Sequence, residues 1–85
     1  PYMEIFLMNR STPKQRNIGR KVAQYREARG LTQKELAAQL QTAGCDLTSE
    51  MVWKVEHGLR NLSIFEIDKL AEVLRVDYNA LFAQD

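Results

Sequence analysis

The sequence has few of the residues from which catalytic and metal sites are built. Its 85 residues include one cysteine and one histidine, which excludes a disulfide within the chain and a zinc site rich in these ligands. The four glycines are scattered, so no glycine-rich loop can surround a phosphate. Asp46 and Glu50 are acidic neighbours, but nothing distinguishes them from ordinary acids of a loop and a helix start. We therefore expect no enzyme, no cofactor and no metal.

Long apolar runs are also missing. No stretch approaches the roughly 18 apolar residues that a membrane-spanning helix needs, so we expect no membrane partner. The composition, 45% hydrophobic and 27% charged, is ordinary for one folded domain of this length. A lone cysteine is typical of proteins kept in a reducing compartment. The sequence thus predicts a cytoplasmic domain.

The net charge of +1 is small, but the charges are unevenly distributed. The segment from Arg10 to Lys34 contains eight Lys or Arg residues and one acidic residue, Glu27. Residues 62–85 contain five acidic residues and two basic ones. This arrangement gives the chain a basic end that suits phosphate groups, although a basic segment can also be simply solvated.

Capping residues and apolar periodicity predict five helices and an all-α fold. Thr32 and Glu35 have the spacing of a capping box, in which each side chain bonds the other residue's backbone amide. Gly30 and Gly58 suit the left-handed turn that ends a helix. The first predicted helix runs from Ile18 to Arg29 with Asn17 as the cap, the second from Gln33 to Leu40, and the third from Ser49 to His57 with Thr48 as the cap. The fourth begins at a capping box formed by Ser63 and Glu66. A short closing helix is capped by Asp77 and contains Leu81 and Phe82.

Residues 1–16 are assigned to an N-terminal arm and residues 17–85 to the folded domain. Pro1 cannot initiate translation, so the first residues are expected to be processed or a leftover of cloning. Residues 3–8 (Met-Glu-Ile-Phe-Leu-Met) have a strand-like composition without a clear partner strand. Ser11, Thr12 and Pro13 are interpreted as a break before the first helix.

The second and third predicted helices are short, separately capped and joined by a connector, which is the layout of a helix-turn-helix. In DNA-binding proteins that motif places its second helix in the major groove. The connector from Gln41 to Leu47 is longer than the three or four residues of a tight turn. Leu47, Val52 and Val55 nevertheless offer an apolar packing face. The pattern therefore indicates DNA binding.

Residues 26–37, 54–61 and 70–82 together resemble the lambda-repressor-like helix-turn-helix family, the xenobiotic-response-element type of bacterial and phage transcriptional regulators. The first stretch carries Thr-Gln-Lys-Glu-Leu-Ala, and the second carries Val-Glu-His-Gly-Leu-Arg-Asn. The similarity covers about residues 17–82. It implies a compact five-helix bundle of the lambda-repressor-like DNA-binding type.

The resemblance assigns base recognition to the first turns of the helix from Ser49 to His57. Lys54 can donate to guanine, Glu50 can accept from the N4 amino group of cytosine, and Ser49 can pair with either base. Met51 or Trp53 can meet the methyl group of thymine. We expect these five side chains to read the major groove: Ser49, Glu50, Met51, Trp53 and Lys54.

Phosphate contacts are expected from two other places. Gln33 and Lys34 begin the second helix, where the positive end of the helix dipole favours an anion. Arg60 and Asn61 lie in the loop after the third helix and suit the DNA backbone.

The resemblance also implies a structural ion pair between Arg26 and Glu56. The planar guanidinium of an arginine matches a carboxylate in a bidentate arrangement. We expect this pair to be partly buried and to stabilise the fold.

Each assignment on the third helix has a plainer alternative. Glu50 lies in a first turn, where the helix dipole favours a carboxylate with or without DNA. Trp53 can pack on the second helix or on a partner protein, and Lys54 can be an ordinary surface lysine. His57, near the helix end, is interpreted as a partner of the dipole. Cys45 is interpreted as an unreactive thiol.

The sequence therefore predicts a sequence-specific DNA-binding transcriptional regulator, a repressor, without enzyme activity. We expect a homodimer on an inverted repeat in double-stranded DNA, with half-sites about one helical turn apart. The alternative is a protein-interaction module, or an antitoxin-like regulator, that docks a protein partner on the same helix face. A salt-dependent affinity for duplex DNA separates the two, because phosphate contacts release counterions.

Overall fold

The computed structural model describes residues 12–83 and shows an all-α fold without strands in this part of the chain. The two helices of the predicted helix-turn-helix are Gln33–Thr42 and Ser49–Glu56. None of the helices within residues 12–83 is long and apolar enough to cross a membrane. The elements are α1 (Pro13–Ala28), α2 (Gln33–Thr42), α3 (Ser49–Glu56), α4 (Ile64–Leu74) and a closing 3-10 helix (Tyr78–Phe82).

Side-chain caps fix the starts of α2 and α4 as the sequence predicts. The hydroxyl of Thr32 accepts from the amide of Glu35 at 3.0 Å, and the Glu35 carboxylate accepts from the Thr32 amide at 2.8 Å. Ser63 and Glu66 make the same reciprocal pair at 3.1 and 2.9 Å. Each box satisfies amides that have no partner inside the helix.

The predicted start of the first helix is wrong by five residues, because α1 begins at Pro13 and not at Ile18. Thr12 and Gln15 form a third capping box, and proline at the first helical position needs no amide partner and has a suitable φ. Asn17 is therefore an ordinary helical residue, and its side-chain amide donates from Nδ2 to the carbonyl of Ala83 at 2.9 Å. α1 crosses the boundary between residues 16 and 17, and that division of the chain stays a prediction. Residues 1–11 of the predicted arm lie outside the described residues.

The bundle has four α-helices within residues 12–83, and not the five that the resemblance implies. α4 ends where Arg75 adopts a left-handed conformation at φ 60°. The closing segment forms a 3-10 helix of five residues, which suits so short a piece. Its Leu81 is fully buried, so the segment still closes the core.

The helix-turn-helix connector is part of the core. α2 continues to Thr42, two residues beyond the predicted end, which leaves residues 43–48 between α2 and α3. The amide of Cys45 donates to the carbonyl of Leu40 at 2.8 Å, and the side chains of Cys45 and Leu47 are 1% exposed. Burial also raises the pKa of the Cys45 thiol. The buried side chains of Cys45 and Leu47 hold the long connector in place.

All the helices contribute side chains to one core. Its buried residues include Val22, Leu36, Leu40, Val52, Val55, Leu70, Leu74 and Leu81.

Candidate nucleic-acid interface

The inner face of α3 packs closely against α1 and the core. Val52 and Val55 are 1% and 2% exposed. Gly19 of α1 lies directly against the backbone of α3, because a Cβ added there would overlap the carbonyl oxygen of Val55. The absence of a side chain at Gly19 therefore allows the two helices to approach each other.

Glu56, the last residue of α3, joins three helices. Arg26 of α1 donates to both of its carboxylate oxygens, from Nε at 2.6 Å and from Nη2 at 3.1 Å. Gln33 of α2 donates to Oε1 at 2.9 Å, and Arg26 Nη1 also donates to the carbonyl of Leu31 at 2.7 Å. The side chain of Arg26 is 12% exposed and that of Glu56 is 4% exposed. The hydrogen bond to Glu56 raises the pKa of Arg26, so the guanidinium stays charged.

The outer face of α3 carries side chains at the spacing of one helical stripe, i, i+3, i+4 and i+7. We call Glu50, Trp53, Lys54 and His57 the outer stripe; all four are exposed. Ser49 is exposed next to it at the start of the helix. Met51 differs from the other predicted base-reading residues, because it is half-buried and packs against the core. A groove contact by Met51 would thus involve only part of its side chain.

The two charged residues of the outer stripe pair with each other. Lys54 Nζ lies 3.4 Å from Glu50 Oε1, one helical turn away. The side chains are 48% and 78% exposed. An ion pair in this environment is weak and screened by salt, so each of the two side chains can leave the pair and bind another partner at a small cost in free energy.

The two aromatic residues of the outer stripe are stacked. The rings of Trp53 and His57 have centroids 3.9 Å apart and an interplanar angle of 19°. His57 Nδ1 lies 2.9 Å from the carbonyl oxygen of Trp53. The sequence pattern predicts for His57 only a favourable interaction with the helix dipole. The i, i+4 spacing from Trp53 was the signal that could have placed it on the same face.

The predicted phosphate-binding residues at the start of α2 have different surroundings. Lys34 is exposed and lines a shallow cleft between α2 and α3 together with Ser49. The side-chain amide of Gln33 is instead directed to Glu56. Gln33 thus connects the start of α2 to the end of α3.

Arg60 and Asn61 are engaged within the protein. Arg60 donates to both oxygens of Glu66, from Nη1 and Nη2 at 3.0 Å each, and the Asn61 side chain accepts from Gln15 of α1. The Arg60 hydrogen bonds lower the pKa of Glu66, and the same contact raises that of Arg60. The sequence pattern predicts only a capping role for Glu66 and therefore does not indicate this fork. The pair orients the loop between α3 and α4. To contact a phosphate, the guanidinium of Arg60 must bind this second anion in addition to Glu66.

No group of three or more His, Cys, Asp or Glu side chains within residues 12–83 has an arrangement that could hold a metal ion. The geometry instead presents a helix fixed from its inner face, with a polar and aromatic stripe outward and a cationic side chain at the start of the preceding helix.

A helix-turn-helix family model matches residues 22–81, which is more than half of the chain. The chain belongs to this family, the lambda-repressor-like helix-turn-helix proteins of the xenobiotic-response-element type. It is a DNA-binding helix-turn-helix regulator, and the family is one of regulatory domains and not typically of enzymes. No curated protein matches the chain.

Proposed function

We propose that this DNA-binding regulator is a sequence-specific transcriptional repressor of the cytoplasm that reads the major groove with α3. The observation that carries the proposal is the outer stripe. Its side chains are exposed and contact one another, while Glu56 and the buried valines fix the position of the helix from the other face. A helix held in this way can enter a groove without disturbing the core.

The chemistry of the stripe suits base edges. Lys54 donates to the O6 and N7 acceptors of guanine, and Glu50 accepts from the N4 amino group of cytosine. Ser49 can pair with either base, and Trp53, assisted by the exposed part of Met51, meets a thymine methyl group. On binding, the weak Glu50–Lys54 pair is exchanged for these contacts.

Phosphates on either side of the groove are contacted from two places. Lys34 and the backbone amides at the start of α2 bind one phosphate, helped by the helix dipole, and Gln33 orients this start through Glu56. Arg60 and Asn61, in the loop after α3, face a second phosphate. These contacts position the protein and provide a salt-dependent part of its affinity.

The regulator binds an inverted repeat as a homodimer with half-sites about one helical turn apart, in agreement with the habit of such folds. Candidate dimer surfaces are the closing 3-10 helix and the N-terminal arm. Tyr78 in the closing helix is 39% exposed and its ring lies 5.2 Å from that of Phe82, which provides an apolar surface at that end.

A second function has one specific observation in its favour. Trp53 is 43% exposed and lies beside the 78% exposed carboxylate of Glu50, and large aromatic residues commonly anchor protein interfaces. A protein-interaction module or an antitoxin-like regulator would use the same stripe for a protein partner.

The test is selection from a random duplex pool, followed by titration of the enriched sequence against salt. We expect an inverted repeat, and Lys54→Ala should weaken its binding by roughly fivefold to 150-fold, equivalent to about 1–3 kcal/mol. Lys69→Ala is the matched control, because Lys69 also pairs with a glutamate one turn away at 3.4 Å but belongs to α4. If no sequence is enriched and the protein binds all duplexes weakly, with an affinity that depends only on salt, the protein-docking alternative is favoured.

A further inference from the structure

The stacked pair of Trp53 and His57 is not explained by the packing of the fold. Both side chains are exposed on the outer stripe, so the stack is not a by-product of burial. The ring planes are close to parallel, at 19°, and the imidazole therefore covers one face of the indole. With 43% of Trp53 exposed, part of its side chain remains available for contact.

A hydrogen bond fixes the orientation of the imidazole. His57 Nδ1 lies 2.9 Å from the carbonyl oxygen of Trp53, and a carbonyl oxygen can only accept, so Nδ1 carries the hydrogen. The same carbonyl accepts the backbone amide of His57 at 3.0 Å. The imidazole is thus held by its own helix turn at a defined angle, and it provides a rigid surface against which the indole rests.

We infer that His57 is a positioning residue for base recognition, which acts by holding the Trp53 indole in one orientation on the face of α3. The inference rests on the proposed function, in which Trp53 meets a thymine methyl group. An indole on an exposed helix face otherwise exchanges between rotamers, and only some of them direct the same edge into the groove. Stacking on His57 selects one arrangement before DNA arrives, so less side-chain freedom is lost on binding.

The alternative role of His57 as a C-terminal cap makes a different prediction. A ring nitrogen that only satisfies a carbonyl of the last turn contributes to stability and leaves base preference unchanged. A positioning role affects preference at the base pair that Trp53 contacts. Stacking and capping can be separated by substitution, because phenylalanine retains a flat ring but has no Nδ1.

The experiment compares His57→Ala and His57→Phe with the wild type. Trp53 is the sole tryptophan of the chain, so its quenching by acrylamide reports how well the indole is covered without any DNA. We expect His57→Ala to raise the quenching constant and His57→Phe to restore it. Position 57 is exposed and has ordinary φ and ψ angles of −94° and 9°, so both variants should fold.

The second readout is base preference along the selected duplex, with Trp53→Ala identifying the base pair that the indole reads. His57→Ala should lower the preference at that base pair by roughly twofold to tenfold, the range of aromatic-pair energies, and should leave the salt slope unchanged. His57→Phe should retain the preference.

Two results would overturn the inference alone: an unchanged preference in His57→Ala, or an equal loss in the alanine and phenylalanine variants. The second result would mean that the imidazole contacts DNA itself or acts only as a cap. If the wild type enriches no duplex at all, the proposed function fails and this inference fails with it. The quenching experiment contains no DNA, so it tests only the stacking of Trp53 and not the proposed function.

Discussion

The two faces of α3 are held by different kinds of contact. The inner face is fixed to other helices: Val52 and Val55 are buried, Gly19 lies against the backbone of Val55, and Glu56 accepts hydrogen bonds from α1 and α2. These contacts are long-range in sequence and mostly excluded from water. They determine where the helix lies.

The outer face is held by contacts within α3 and its C-terminal capping residue, His57. Glu50 pairs with Lys54, and Trp53 stacks on His57, and the two residues of each pair are one helical turn apart. None of these contacts ties α3 to another element. The position of the helix and its recognition chemistry therefore depend on separate side chains, so stability and base preference can be changed one at a time.

Glu56→Ala should destabilise the fold more than any other substitution proposed below. The substitution leaves the guanidinium of Arg26, 12% exposed, without its carboxylate, and it removes the acceptor of Gln33. We expect the free energy of unfolding to fall by about 3 kcal/mol, the lower end for a broken buried pair. Chemical denaturation measures this, and a double-mutant cycle with Arg26→Ala isolates the pair. An unfolding midpoint equal to the wild type would contradict the importance of the inner face.

Gly19→Ala tests the close approach of α1 and α3. The new methyl group would overlap the carbonyl oxygen of Val55 and lie 3.0 Å from that of Glu56, and backbone atoms cannot turn away as a flexible side chain can. We expect a net loss of about 2 kcal/mol in thermal or chemical unfolding, although alanine is the better helix former. Gly30→Ala is a suitable control, because a Cβ there meets nothing within 4 Å and the cost is confined to a positive φ of 70°. A Gly19→Ala protein as stable as the wild type would show that the two helices can move apart freely.

The ion pair in the loop after α3, between Arg60 and Glu66, makes part of the stability depend on pH. The Arg60 hydrogen bonds lower the pKa of Glu66 below its ordinary 4.5, so its contribution is complete above that pH and is lost as pH falls through the folded pKa. We expect about 1 kcal/mol of stability to disappear below pH 4.5, given that Glu66 is 19% exposed. Glu66→Gln retains the capping box and should remove this part of the acid dependence. Identical acid profiles for both proteins would exclude the pair as its source.

The starts of most helices could be predicted because caps are local. Thr32 with Glu35, and Ser63 with Glu66, use residues three apart, so the sequence alone contains the whole interaction. The predicted start of α1 is wrong because Ser11, Thr12 and Pro13 together indicate a break in the chain. Proline breaks a helix when it lies in the interior but is favourable in the first turn. The capping box of Thr12 and Gln15 is the local signal that favours a helix start at Pro13 over a break.

The side-chain contacts of the site depend on the paths of loops and on rotamers, which no local pattern specifies. Arg60 and Glu66 meet because the loop after α3 turns back on α4, and the amide of Gln33 reaches Glu56 across 23 positions. Arg26 and Glu56 lie 30 positions apart, and family resemblance, not spacing, suggested their pairing. The exposed face of α3, in contrast, follows from helical periodicity once Val52 and Val55 are assigned to the core.

Substitutions on the outer face of α3 should change stability only slightly. Glu50→Gln keeps the length of the side chain but removes the negative charge that pairs with Lys54. Because 78% of the Glu50 side chain is exposed, we expect the free energy of unfolding to fall by about 0.5 kcal/mol at low salt. The decisive measurement is chemical denaturation at low salt and at about 1 M salt, where the screening length falls to about 3 Å. The Glu50→Gln difference should vanish at high salt, because both groups are hydrated. The Glu56→Ala difference should persist, because the carboxylate of Glu56 is 4% exposed and salt screens buried pairs much less. Equal salt sensitivity of the two variants would mean that the two faces of α3 are held in the same way.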